Sequence, residues 1–130
     1  MKDDREYYRR ISSERTDKLF VRIMNAVTEN KRYRGGDCTA SSIAAELGIK
    51  ARDISAVVAI QTGENYNTLI NNLRLRDACK MLSSPSYNNY SVEEIGLYAG
   101  FSSRQSFYLA FSKAYDITPR QYRLLHNKKH

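Results

Sequence analysis

One pattern occurs twice in this 130-residue chain, and that repetition limits the folds open to it more than any other feature. Ile43-Ala44-Ala45-Glu46-Leu47-Gly48-Ile49 is answered about 52 residues later by Ile95-Gly96-Leu97-Tyr98-Ala99-Gly100-Phe101. Ile54, Val58, Gly63, Tyr66 and Leu69 follow the first copy. Phe107, Phe111, Asp116, Pro119 and Tyr122 follow the second, in step apart from one extra residue just after the turn. Each copy spells a helix, a tight glycine turn and a second helix. A doubled helix-turn-helix points to one chain that touches DNA at two places.

The rest of the chain extends this helical reading. From about Asp17 to Asn30, Leu19, Phe20, Ile23, Met24 and Val27 recur at intervals of three and four, the stripe of an amphipathic helix that packs across the first repeat. Residues 31–37, with Gly35-Gly36, break the pattern as a loop. Thr39 is placed to cap a helix over 40–47 that ends at Gly48, and a second helix covers about 51–61. Asn65 is placed to cap a long helix over about 66–82, some 25 Å in length, with apolar positions Leu69, Ile70, Leu73, Leu75, Ala78, Met81 and Leu82. Residues 83–90 carry proline and turn formers and read as a linker. Ser91-Val92-Glu93-Glu94 has the form of a capping box opening a helix over 92–99. Ser102 or Ser103 caps a helix over about 103–115 with Phe107, Ala110, Phe111 and Ala114 as its inward face. Thr118-Pro119 opens a last helix to about His126.

No segment alternates like a strand, so the expected fold is all-α: two helix-turn-helix lobes joined by a long helix. The expected division is 1–16 as a charged lead-in, which extends the next helix or joins an upstream segment, and 17–64 as the first lobe. After these come 65–82 as connecting helix, 83–90 as linker, 91–126 as the second lobe and 127–130 as a frayed tail.

Composition narrows the function classes. A hydrophobic fraction of 42% excludes wholesale disorder. No apolar run approaches the roughly 18 residues of a membrane span, and the start is not a secretory leader, so a cytoplasmic, nucleoid-associated location is expected. Cys38 and Cys79 lack CxxC spacing and a neighbouring histidine, so they read as reduced packing thiols, with no metal site and no disulfide. The net charge of +7 is uneven. Residues 1–35 hold ten Lys/Arg against six Asp/Glu, residues 36–84 five against five, and residues 85–130 six against three. A basic excess suits a polyanion through counterion release. There is no GxSxG elbow and no glycine-rich phosphate loop, and Glu93-Glu94 are explained by helix capping. No catalytic residue, cofactor or enzyme activity is therefore expected.

In a helix-turn-helix the first helix and the turn brace the second, whose N-terminal side chains project into the major groove. In the second repeat the outward residues after the turn are Ser103, Arg104, Gln105 and Tyr108. Arg can bind guanine and Gln adenine by paired hydrogen bonds, while Ser or Tyr can reach a base or phosphate. The alternative for each is an ordinary solvated face. In the first repeat the matching positions are Lys50, Arg52, Asp53, Ser55, Ala56 and Ala59, a poorer reading surface. Its run Ala56-Val57-Val58-Ala59-Ile60 is open to three readings: packing, contact with thymine methyls, or an interface with another protein.

Over about residues 20–124 the chain resembles the DNA-binding domain of the AraC/XylS transcription regulators. The most specific match is Ile95-x3-Ala99-Gly100-Phe101-x5-Phe107-x3-Phe111-x4-Asp116-Ile117-Thr118-Pro119-x2-Tyr122-Arg123. Ile43 to Ile49 and Leu73-Arg74-Leu75-Arg76-Asp77-Ala78 also fit. The resemblance implies two recognition helices entering successive major grooves on one DNA face. It places base-reading positions on Arg52, Ser55 and Ala56 and on Arg104, Gln105, Tyr108 and Leu109. Ala56 and Leu109 depart from the long polar or basic side chains often found there. The DNA-binding set is thus Lys50, Arg52, Ser55, Ser103, Arg104, Gln105 and Tyr108.

Expected partners are double-stranded DNA and either RNA polymerase or an upstream sensor domain, with the chain a monomer or weak dimer. Two forms remain open, a stand-alone regulator and the output part of a longer sensor protein. The competing function is a helical interaction module of the same fold without sequence reading.

Overall fold

The computed structural model describes the backbone of residues 2–127 and the side chains of residues 13–127. Met1 and residues 128–130, the greater part of the expected tail, lie outside the described residues. Seven α-helices follow in order: α1 Lys2–Thr28, α2 Ala40–Leu47, α3 Ala51–Thr62, α4 Tyr66–Ser83, α5 Val92–Ala99, α6 Arg104–Tyr115 and α7 Pro119–His126. Two short 3-10 stretches stand at Glu29–Arg34 and Pro85–Tyr87, and no strand occurs among the described residues. The fold is all-α.

Local chemistry sets these boundaries. Thr39 accepts from Ser42 N at 3.1 Å to open α2. Asn65 Oδ1 accepts from Thr68 N at 2.8 Å to open α4. Ser91 and Glu94 form the capping box of α5 by reciprocal bonds of 3.0 and 2.8 Å. Of the two serines before α6, Ser103 is the cap, and Thr118 caps α7 with Pro119 following it. From Lys2 onward the lead-in is the beginning of α1, a continuous helix through Thr28. That helix stops where Asn30 and Lys31 both take left-handed backbone conformations. The segment expected as a loop from Lys31 thus opens as a kinked 3-10 stretch that starts at Glu29.

The chain forms two compact units. The first comprises Met1–Arg32 with Asp37–Leu69, and the second Tyr33–Gly36 with Ile70–His130. The boundary falls inside α4. In the first unit α1, α2 and α3 pack on one another, and Ile23, Val27, Ile43, Ile54 and Val58 are fully buried. Arg32 closes on Glu46 at 2.6 Å and Arg22 donates to Leu47 O at 3.1 Å, holding the end of α2. In the second unit Leu75, Ala78, Met81, Leu82, Val92, Ile95, Ala99, Phe101, Phe107 and Phe111 form one core.

The segment Tyr33–Gly36 belongs to this second core through α4. Arg74 Nε donates to Tyr33 O at 2.6 Å and its guanidinium also reaches Gly35 O, while Asp77 accepts from Tyr33 Oη and from Arg34.

Two expectations are corrected here. Ala114 is exposed, because Phe107 and Phe111 with half-buried Ala110 already fill the inward stripe of α6, and Tyr115 and Tyr122 pack on Phe111 beyond it. Asn127, expected at the start of the frayed tail, is 1% exposed. Its amide donates to Leu82 O, Ser84 O and Asn88 Oδ1 at 3.2, 3.3 and 2.6 Å, tying the end of α7 to the end of α4 and the segment after it. Asn127→Ala removes the donor to one buried and two partly buried acceptors and should cost about 1–3 kcal/mol, read as a lower urea midpoint at unchanged slope.

The repeat also shows how one small residue answers one large one. A Cβ on Gly96 would lie 2.4 Å from Phe107 Cδ2, so the bare backbone of α5 is what lets the ring sit there. At the corresponding positions of the first copy stand Ala44 and the smaller Ile54. Gly96→Ala should therefore destabilise by roughly 1–3 kcal/mol through overpacking. Combined with Phe107→Ile it should cost less than the sum of the two single changes, a coupling that a double-mutant cycle of melting curves measures.

Candidate nucleic-acid interface

In the second unit, the turn between α5 and α6 is made by Gly100 at φ +116°, a conformation that L side chains rarely adopt. Its N–H closes α5 on Gly96 O and Leu97 O. α6 then starts from Ser103, whose hydroxyl accepts from Ser106 N at 3.0 Å while Ser106 Oγ accepts from Ser103 N at 3.2 Å. The Ser103 hydroxyl is thus engaged in the first turn of its own helix. Phe107 and Phe111, both fully buried, fix the rotation of α6. That rotation leaves Arg104, Gln105 and Leu109 exposed and Tyr108 half-buried.

Tyr108 packs against the core beside Phe107, and its outer atoms have polar partners. Its hydroxyl donates to Glu93 Oε1 at 3.3 Å, and the Arg104 guanidinium lies over its ring at 5.2 Å. Arg104 Nε and Arg120 Nη2 approach the same carboxylate oxygen at 3.8 and 3.9 Å. In the sequence Glu93 reads as one of a capping pair, and Arg120 stands in no motif. The available signal was spacing: Glu94 takes the capping position, so Glu93, one residue earlier, projects about 100° away on another face.

In the first unit, Gly48 makes the turn at φ +72°. α3 follows with Lys50 in the cap position and no side-chain cap bond. Ile54 and Val58 are fully buried and Val57 nearly so. Lys50, Arg52, Asp53, Ser55, Ala56 and Ala59 are all exposed, as is Ile60 at 70%. The apolar run is thus divided, with Val57 and Val58 serving the core and Ala56, Ala59 and Ile60 facing solvent.

The remaining reactive groups are packing residues. Cys38 and Cys79 are free thiols. Cys38 is buried with its sulfur 3.4 Å from Tyr66 Oη. Burial pushes the Cys79 thiol up, away from the reactive thiolate. Burial, helped by the neighbouring Cys79, pushes Tyr115 up to about 12. Among the described residues no cluster of His, Cys, Asp and Glu has metal-ligating form, and no helix is long and apolar enough to cross a membrane.

The helix-turn-helix domain family pattern matches residues 43–124, from within α2 to within α7. The chain belongs to the AraC-type helix-turn-helix family. This AraC-type domain is 34% identical over 77 residues to the xylose operon regulatory protein of Escherichia coli, a match covering 59% of this chain and 19% of that protein. The chain thus matches about a fifth of the length of the curated relatives it resembles. Among solved structures it is similar to an AraC-type transcriptional regulator from Chromobacterium violaceum, at 27% identity and a TM-score of 0.60, over 71% of this chain and 80% of that one. It is also similar to the C-terminal domain of the two-component response regulator yesN from Fusobacterium nucleatum. That match has 27% identity and a TM-score of 0.65, over 78% of this chain and 93% of the other. Family and fold are those of transcription regulators.

Proposed function

We propose that this AraC-type domain regulates transcription by binding specific sequences in duplex DNA. α6 carries most of the reading, and α3 adds affinity and register in the next major groove. The observation that carries this reading is the division of α6. Phe107 and Phe111 are locked in the core while Arg104 and Gln105 stand exposed in the first turn after a glycine corner. A guanidinium and a carboxamide presented there match guanine and adenine edges. On α3, Lys50, Arg52 and Ser55 are assigned to phosphate and base contacts. Ser103, occupied by its cap, is assigned a supporting contact only.

Selection of bound duplexes from a random pool tests the proposal. Two short preferred motifs with centres about ten base pairs apart are expected for reading by both helices, and a single motif for α6 alone. Recovery of no preferred sequence would overturn sequence reading. Arg104→Ala should weaken binding to the selected duplex by about 1–3 kcal/mol and relax preference at one base pair. An equal loss on every duplex would make Arg104 a phosphate contact instead. The proposed protein partner is either RNA polymerase or an upstream sensor domain, with the chain acting as a monomer or weak dimer.

One observation favours a second reading for the first unit. Ala56, Ala59 and the 70% exposed Ile60 form an apolar outer strip on α3 that suits a protein contact. Ile60→Ser that leaves DNA selection unchanged while abolishing self-association or partner binding would favour that reading.

A further inference from the structure

Resting on the DNA-reading role of α6, we propose that Glu93 is a positioning residue that sets sequence specificity. Its carboxylate holds Arg104 and Tyr108 for base contact and lowers the affinity of this face for phosphate.

The geometry converges on one oxygen. Glu93 Oε1 receives the Tyr108 hydroxyl at 3.3 Å and faces Arg104 and Arg120 at 3.8 and 3.9 Å. These groups come from different helices: Glu93 from the bracing helix α5, Arg104 and Tyr108 from α6, and Arg120 from α7. Arg104 and Arg120 are 68% and 69% exposed, so both remain accessible to DNA while they face the carboxylate. Tyr108 completes the arrangement by offering its ring face to the Arg104 guanidinium at 5.2 Å.

Two consequences follow from elementary physics. An arginine held between a carboxylate and an aromatic ring has already lost part of its rotamer freedom, so it gives up less on meeting a base edge. A fixed negative charge beside two guanidinium groups opposes phosphate wherever the backbone approaches, and that penalty does not depend on sequence. Non-specific binding is almost wholly electrostatic, whereas base reading requires placement. The carboxylate therefore penalises random DNA more than the preferred site.

The test compares the full chain with Glu93→Gln and Glu93→Asp on the selected duplex and on random duplex, across a salt series. Glu93→Gln should tighten binding to random duplex roughly three- to tenfold, steepen its salt slope by up to about one, and change the selected duplex by less than about twofold. The specificity ratio then falls. Glu93→Asp, which keeps the charge, should restore most of the ratio. A merely structural role would shift the melting temperature and weaken both duplexes together, leaving the ratio unchanged. An unchanged ratio in Glu93→Gln, or an Asp variant that behaves like the Gln variant, overturns the proposal. Failure of the underlying DNA reading is distinguishable, because the unsubstituted chain would then prefer no duplex.

Discussion

Gly100→Val should lower the melting temperature by roughly 10–20 °C, the shift that a loss of about 3 kcal/mol or more produces in a chain of this size. Two effects add at this residue. Its φ of +116° lies beyond the left-handed island that an L residue can reach at modest cost. A Cβ there would also lie 2.6 Å from Arg34 Cα, 2.8 Å from Arg34 O and 2.9 Å from Arg74 Nε. Two of the three atoms are backbone, and Arg74 is itself bonded to Tyr33 O, so the obstruction cannot swing aside cheaply. Gly48→Val provides the contrast, since Gly48 has φ +72° and nothing within 4 Å of a Cβ. Only backbone strain of about 1–2 kcal/mol applies to it. Equal melting temperatures for the two variants would mean that the contact with Arg34 contributes nothing.

Asp77→Ala should cost about 2–4 kcal/mol, because it removes the acceptor shared by the buried Tyr33 hydroxyl and the Arg34 guanidinium. Asp77 is only 7% exposed, so solvent replaces it poorly. Urea unfolding should show the midpoint fall, and hydrogen exchange should quicken first at the amides of Tyr33–Gly36. A midpoint within experimental error of the parent would sink this account of how the segment is held.

The same network gives a pH dependence with a definite sign. Burial first, and then the hydrogen bond to Asp77, raise the Tyr33 pKa above 10. A raised folded-state value favours the neutral phenol. Its contribution is therefore complete below pH 10 and is lost as pH climbs from 10 through the raised value. Asp77→Ala removes the second cause, so the alkaline loss should shrink in that variant.

Much of this architecture was legible because its signals are local. Thr39, Ser91, Thr118 and the glycines at 48 and 100 act on the few residues beside them, and the three-and-four spacing of Ile23 and Val27 or of Phe107 and Phe111 is a property of one helix. Helix bounds and the turns of both repeats follow from such terms. The assignment of Arg104 and Gln105 to an exposed face was equally local, since burial of Phe107 leaves their side of the helix outward.

What escaped the sequence depends on partners distant along the chain. Asn127 is buried because Leu82 and Asn88 offer acceptors some 40 residues earlier. The Tyr33–Gly36 segment joins the second core because Arg74 and Asp77 lie one turn apart on α4. Ala114 is left in solvent because other residues had already filled the core. The carboxylate of Glu93 meets Arg104, Tyr108 and Arg120 only once three helices are packed. Periodicity and capping, which involve residues within one or two turns of each other, determined the all-α repeat and the outward face of each second helix. Only the tertiary structure decided which charges share that face, because Coulomb and hydrogen-bond partners are chosen by distance in space and not by separation along the chain.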